Sequence, residues 1–200
     1  MAARRLASTA AAAAAALLLP ASAAQAHTVS TTAGDFYAGA LHVASSPEHL
    51  LTLLGLGLLL GQDGREAAGE PLLPLCAATL TIGAALALPI GAVPIPRALG
   101  IVSLLLVGLL VAAAVRLPRP ALATLTLAVG LAHGFANAEA MTPGMRPILF
   151  FPGIVLAGFL LAFYGMALAR LARPFWAKVA VRVAGSWIAA TGLLVLGMPR

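Results

Sequence analysis

The stretch HVASSPEHL, His42 to Leu50, places two histidines and a glutamate at the head of a long apolar run. A later apolar run contains HGFANAE, with His133, Asn137 and Glu139. Imidazole, amide and carboxylate donors, with no thiolate or thioether at the same level, suit a borderline divalent ion such as Ni2+, Co2+ or Zn2+. His42 and His49 are seven residues apart. In a straight helix that spacing is two turns and one shared face. Pro47 removes a helical hydrogen bond and frees the carbonyl of Val43, so the turn with Ser45 and Ser46 is a candidate ion-coordinating element. His133 and Asn137 stand at i and i+4 and share a face as well. Both stretches read His-x5-Glu, from His42 to Glu48 and from His133 to Glu139. The candidate metal ligands are therefore His42, Glu48, His49, His133, Asn137 and Glu139, with Glu139 at the mouth of the site. The competing reading is interhelical hydrogen bonding that fixes helix register. A bis-histidine haem on His49 and His133 is a third, in no distinctive haem context.

The elements that must position these groups are membrane helices. The chain has 200 residues, of which 62% are hydrophobic and 9% charged. Soluble domains carry about a quarter charged residues. Six apolar runs, at 38–60, 72–90, 98–115, 121–140, 148–169 and 179–197, each approach the ~20 residues needed to cross ~30 Å of hydrocarbon. Backbone groups in lipid must be paired internally, so the runs are expected to be helices. The fold class is all-α, a polytopic membrane bundle of about six helices. The first 26 residues, with MAARR, an Ala/Leu-rich run and AQA ending at Ala26, read as a cleaved signal peptide. Residues 27–37 would form a short outer segment and 38–200 the membrane domain. His27 would become the first residue, where an α-amine beside an imidazole can chelate metal, although chance explains one such residue better.

Charge sets the orientation. Export of the signal leaves the mature N-terminus outside. Arg65, Arg116, Arg119, Arg170, Arg173, Lys178 and Arg182 then face the cytoplasm, and Arg97, Arg146 and Arg200 the outside. That distribution follows the positive-inside rule. On straight helices this orientation brings His42, His49, His133 and Asn137 to overlapping heights in the outer half of the membrane, with His42 facing Asn137. Antiparallel spans three helices apart with matching motifs suggest a 3+3 inverted repeat around a shared site. Gly185 and Ala189 form a small-xxx-small pair for close helix contact. Trp176 reads as an interfacial anchor. Cys76 lies in an apolar run and reads as core filler. The net charge of +6 comes without a dense basic cluster with aromatics, which argues against nucleic-acid binding. Protease, hydrolase-elbow and phosphate-loop motifs are absent, so no enzyme is expected and an ATP-driven pump is not encoded in this chain alone.

With these residues in place, the sequence resembles the HupE/UreJ family of bacterial nickel/cobalt permeases. That family has a cleaved signal, about six membrane helices, an H-P-x-x-G-x-D-H motif in the first mature helix and a later F-H-G-x-A-H-G-x-E motif. The first appears as HVASSPEH, with His42 and His49 at the histidine positions, Glu48 for aspartate, Val43 for proline and Ser46 for glycine. The second appears as AHGFANAEAM, where His133, Gly134 and Ala136 match and Glu139 is read as the glutamate. Asn137 takes a histidine position, Ala132 the phenylalanine and Ala138 a glycine. Replacing an imidazole by Asn137 makes the site less nitrogen-rich, and Glu48 reaches one methylene further than aspartate. The resemblance implies a secondary permease carrying Ni2+ or Co2+ across a bacterial inner membrane, with no organic cofactor. Its partners would be the ion and the lipid bilayer. A homo-oligomer or metalloenzyme assembly factors are further partner classes. The alternative is a non-transporting accessory of metalloenzyme assembly in which the polar set is structural.

Overall fold

The computed structural model describes residues 32–62, 69–91 and 93–197. The predicted signal peptide, His27 and the loop residues Asp63, Arg65 and Glu66 lie outside them. Among the described residues there are seven helices: α1 Thr32–Ser45, α2 Pro47–Gln62, α3 Leu72–Ile90, α4 Pro94–Ala112, α5 Arg119–Ala138, α6 Pro147–Leu171 and α7 Phe175–Gly197. Proline marks where they begin. Pro47 and Pro147 are first residues, Pro120 is second in α5, and Pro174 directly precedes α7. Proline's fixed φ suits the first turn, where its missing N–H would have no partner in any case.

All six predicted runs are helical, and the protein is a polytopic helical membrane bundle. The span α3 has the predicted bounds, whereas the fourth run stops at Ala138 and leaves Glu139 just beyond the helix. Helices α3, α5, α6 and α7 are long and apolar enough to cross a membrane. The first run departs from the expected straight helix. It starts at Thr32, six residues before the predicted boundary, and breaks at Ser46 with a bend of 77° between α1 and α2. Counted together, α1 and α2 make a fifth span. Over Ala98–Ala112, α4 is a shorter apolar helix.

The bundle is built from three extensive helix pairs: α6 along both halves of the broken span, α3 along α5, and α4 along α7. Number the six apolar runs one to six, with α1/α2 as the first. The pairs are then one–five, two–four and three–six. Exchanging each span for the one three places on maps this set onto itself, as an inverted repeat requires. The largest departure from symmetry is that α2 packs on α4, while α5 has no comparable contact with α7.

Small residues allow these approaches, because lipid supplies little hydrophobic force between helices and close packing must hold them together. A Cβ on Gly57 of α2 would strike the carbonyl of Ala162, and one on Gly165 of α6 would strike that of Leu54. Gly83 and Gly134 are opposed to Leu131 and Leu80 in the same way across α3 and α5. The predicted Gly185–Ala189 pair faces α4, with Gly108 against Ala189 and Gly185 against Ala112. Cys76 is fully buried in the apolar core, as expected.

The most enclosed element is α2. Leu53 and Leu56 are inaccessible, Leu59 and Leu60 nearly so, and α2 touches α1, α4, α5, α6 and α7. His49 lies near its N-terminal end. Gly57→Ala should therefore destabilise the bundle by roughly 1–3 kcal/mol, because backbone must move to admit the methyl. Gly100→Ala is the control, since its Cβ would meet only the His133 ring at 3.9 Å, an ordinary contact. Thermal unfolding of the purified variants in detergent measures the difference, and equal midpoints would contradict the packing account.

Candidate metal site

The break at Ser46 creates the site. Pro47 has no N–H to continue the helix. The chain closes α1 with Ser46 N–H donating to His42 O (3.1 Å) and starts α2 with His49 and Leu50 N–H donating to Ser46 O (3.0 and 2.9 Å). The Ser45 hydroxyl reaches back to His42 O at 3.4 Å. In a straight helix, seven residues would separate His42 and His49 by about 10 Å along the axis. The observed ring centroids are 5.6 Å apart, tilted by 52°. The expected shared helical face is thus not what brings them together. The bend does so, and the depths reckoned along a straight first helix do not apply.

His49 is buried at 3% exposure and His133 is inaccessible, and the two rings meet edge to face with centroids 5.0 Å apart. Their Nδ1 atoms lie 2.8 Å from each other. His133 Nε2 lies 2.8 Å from Ser103 Oγ on α4. Counting donors orders the chain. Ser103 has one hydroxyl hydrogen, and it is donated to Gly100 O at 2.8 Å. While that hydrogen is on Gly100 O, Ser103 Oγ accepts from His133 Nε2–H. His133 Nδ1 is then an acceptor, and His49 Nδ1–H donates to it. The remaining nitrogen, His49 Nε2, points toward Glu48, with Oε1 at 3.8 Å. That separation is too long for a direct hydrogen bond. It is short enough for one ion to touch both atoms at about 2.0–2.2 Å from each.

The other predicted residues are placed as follows. His42 flanks His49. The Glu48 side chain is 31% exposed. Asn137 is inaccessible; its Nδ2 donates to His133 O at 2.6 Å and its Oδ1 has no partner among the described residues. A buried unpaired amide oxygen is rare in a folded interior and marks a place for a water or cation. Glu139 is turned away, its Oε1 accepting from Val93 N–H at 3.1 Å before α4. Counted strictly along the F-H-G-x-A-H-G-x-E pattern, the glutamate position falls on Ala140, so Glu139 stands one residue early. Among the described residues no group of three His, Cys, Asp or Glu side chains is close enough to hold one ion as it stands.

Ser103 is the functional candidate that sequence reading missed. A serine in an apolar helix has no spacing relation to a histidine thirty residues away, and only packing of α4 on α5 reveals it. The donor order has a direct signature. Nitrogen-15 NMR of histidine-labelled protein should show His133 protonated at Nε2 and unprotonated at Nδ1, with Ser103→Ala removing that bias. A His133 ring protonated at Nδ1 in the unmodified protein would overturn the ordering.

A family model described as HupE / UreJ protein matches residues 15–195, nearly the whole chain. No curated protein and no solved structure matches it. The match covers the helical bundle and the histidine pair at its core, and the chain belongs to the HupE/UreJ family.

Proposed function

We propose that the protein is a secondary permease for a divalent transition metal, Ni2+ or Co2+, taken up from the outer face of a bacterial inner membrane. The observation that carries this reading is the broken α1–α2 turn. It directs His49 Nε2 and Glu48 Oε1 toward a common point, with His42 beside them. In this reading His49 and Glu48 are the receiving donors, and His42 joins them as the ion sheds water. His133 and Ser103 act behind His49. Metal-bound imidazole commonly donates its other N–H to a fixed acceptor, which sets the tautomer and raises ligand basicity. The His49–His133–Ser103–Gly100 chain supplies that support. Asn137 Oδ1, one turn along α5 from His133, is a further oxygen for the path.

Energetics favour a binding role. A hydrogen bond between membrane helices returns about 0.6 kcal/mol on average. A charged side chain at mid-membrane costs about 2.5–3.5 kcal/mol even on lenient scales. Locking helices together is therefore a weak reason to keep a carboxylate beside two imidazoles here. Inward passage follows from rocking of the two three-span halves, which the nearly symmetric pairing scheme permits.

A second reading, a non-transporting accessory of metalloenzyme assembly, is favoured by one observation: both His133 nitrogens and His49 Nδ1 are already satisfied within the bundle. Nickel and cobalt accumulation in cells lacking other uptake routes separates the two. The permease reading expects accumulation that His49→Ala and Glu48→Ala reduce to background at unchanged protein level. Ser103→Ala should lower it about 10- to 100-fold, the usual cost of removing a supporting partner. Uptake indifferent to His49→Ala would end the permease reading, and loss of protein level in each variant would favour the structural one.

A further inference from the structure

The end of the bundle opposite the histidines holds a second concentration of chemistry. Gln62, at the end of α2, is about 20 Å along the helix from His49 at 1.5 Å per residue. There a cavity of about 450 Å³ is lined by Gln62, Arg116, Arg170, Arg173, Lys178 and Arg182, together with small residues. This volume lies within the range of small-molecule sites. Two of its cations have described partners: Arg170 Nη1 pairs with Glu70 at 2.8 Å, and Arg182 Nε donates to the carbonyl of Ala112 at 2.9 Å. No carboxylate among the described residues pairs with Arg116, Arg173 or Lys178.

Part of this positive charge answers the helices. The C-termini of α2, α4 and α6 converge here, and each contributes roughly half a negative charge. Among the described residues, three C-termini and Glu70 offset part of the five positive charges, and the N-terminus of α7 beside Lys178 adds to them. Among the described residues positive charge remains in excess around one half-open space, of the sign a phosphate group would neutralise. Gln62 lines the same cavity. Its Nε2 donates to Val111 O at 3.0 Å, and its buried Oε1 has no partner among the described residues. That orphan acceptor calls for a donor, such as the hydroxyl of a phosphoglycerol or of a protonated phosphate. Basic pockets between membrane helices are a recognised setting for phospholipid headgroups.

We propose that this cavity binds a phosphate group, supplied by an anionic phospholipid headgroup or by free phosphate. The sequence-derived orientation puts it on the cytoplasmic side. Occupancy would join α2, α4, α6 and α7 at the end away from the histidines.

The test uses the full-length protein purified in zwitterionic detergent. Unfolding midpoints are measured with added phosphatidylglycerol, with phosphatidylcholine, and with inorganic phosphate replacing chloride at constant ionic strength. At a hundredfold excess over Kd, a bound ligand should raise the midpoint by about 5 °C or more. A rise with phosphatidylglycerol alone identifies the lipid, and a rise with phosphate identifies the free ion. Either rise should vanish in the triple variant Arg116→Gln/Arg173→Gln/Lys178→Gln and persist in Arg146→Gln, at the other end of the bundle. Should the triple variant not fold, native mass spectrometry of the unmodified protein decides, by retention of phosphatidylglycerol over phosphatidylcholine and by phosphate adducts. The proposal is overturned if neither phosphatidylglycerol nor phosphate stabilises or stays bound to the protein. It is equally overturned if the rise survives the triple change or disappears in Arg146→Gln.

Discussion

A peptide chain in hydrocarbon must satisfy its own backbone, and this protein relaxes that rule at one residue. At Ser46 the first span stops being helical, because Pro47 cannot donate the bond that would continue it. A break at membrane depth is tolerated where protein encloses it. Here α6 runs along both halves and holds them by close glycine contacts on either side of the break, while Ser45 and Pro47 stay exposed. The 77° bend has a chemical consequence: it brings His42 to His49 and turns Glu48 toward the outer nitrogen of the same ring. Without the bend those residues would be strung along a helix, two turns from first to last.

The second dependence is a short directed chain of hydrogen bonds. Gly100 O, the Ser103 hydroxyl, the His133 ring and the His49 ring come from three helices and meet within hydrogen-bond distance. Each group has only one way to be satisfied once its neighbour is fixed, so a single hydroxyl proton on α4 decides which nitrogen of His49 is left open. Such a chain costs little to assemble when it is complete and a great deal when one member is missing. It also explains why Asn137 stands out: its amide nitrogen is used and its oxygen is not.

Glycine approach and charge distribution then divide the molecule into two chemically different ends. The glycine contacts let α2 sit at the centre of the bundle, carrying the histidine at one end and Gln62 at the other. Imidazole, amide and carboxylate donors collect at the first end. Guanidinium and ammonium groups collect at the second, where three helix C-termini meet. The polar residues of an otherwise apolar chain are thus segregated along one axis.

Periodicity and composition by themselves determined the all-helical membrane class, the six runs and the two histidine stretches. Those properties are local: hydrophobic length against bilayer thickness, and proline at helix starts. The family resemblance was legible for the same reason, since it rests on contiguous motifs around His42–His49 and His133–Glu139. Tertiary structure alone decided what those residues touch. A bend angle depends on what packs against both halves of the helix, so the proximity of His42 and His49 was expected for the wrong reason. Ser103 has no local signature at all. Glu139 was drawn into the candidate set by spacing, yet a helix ending at Ala138 left its carboxylate to a backbone N–H at Val93. Which donors converge is a property of several helices at once, and no window along a single chain contains it.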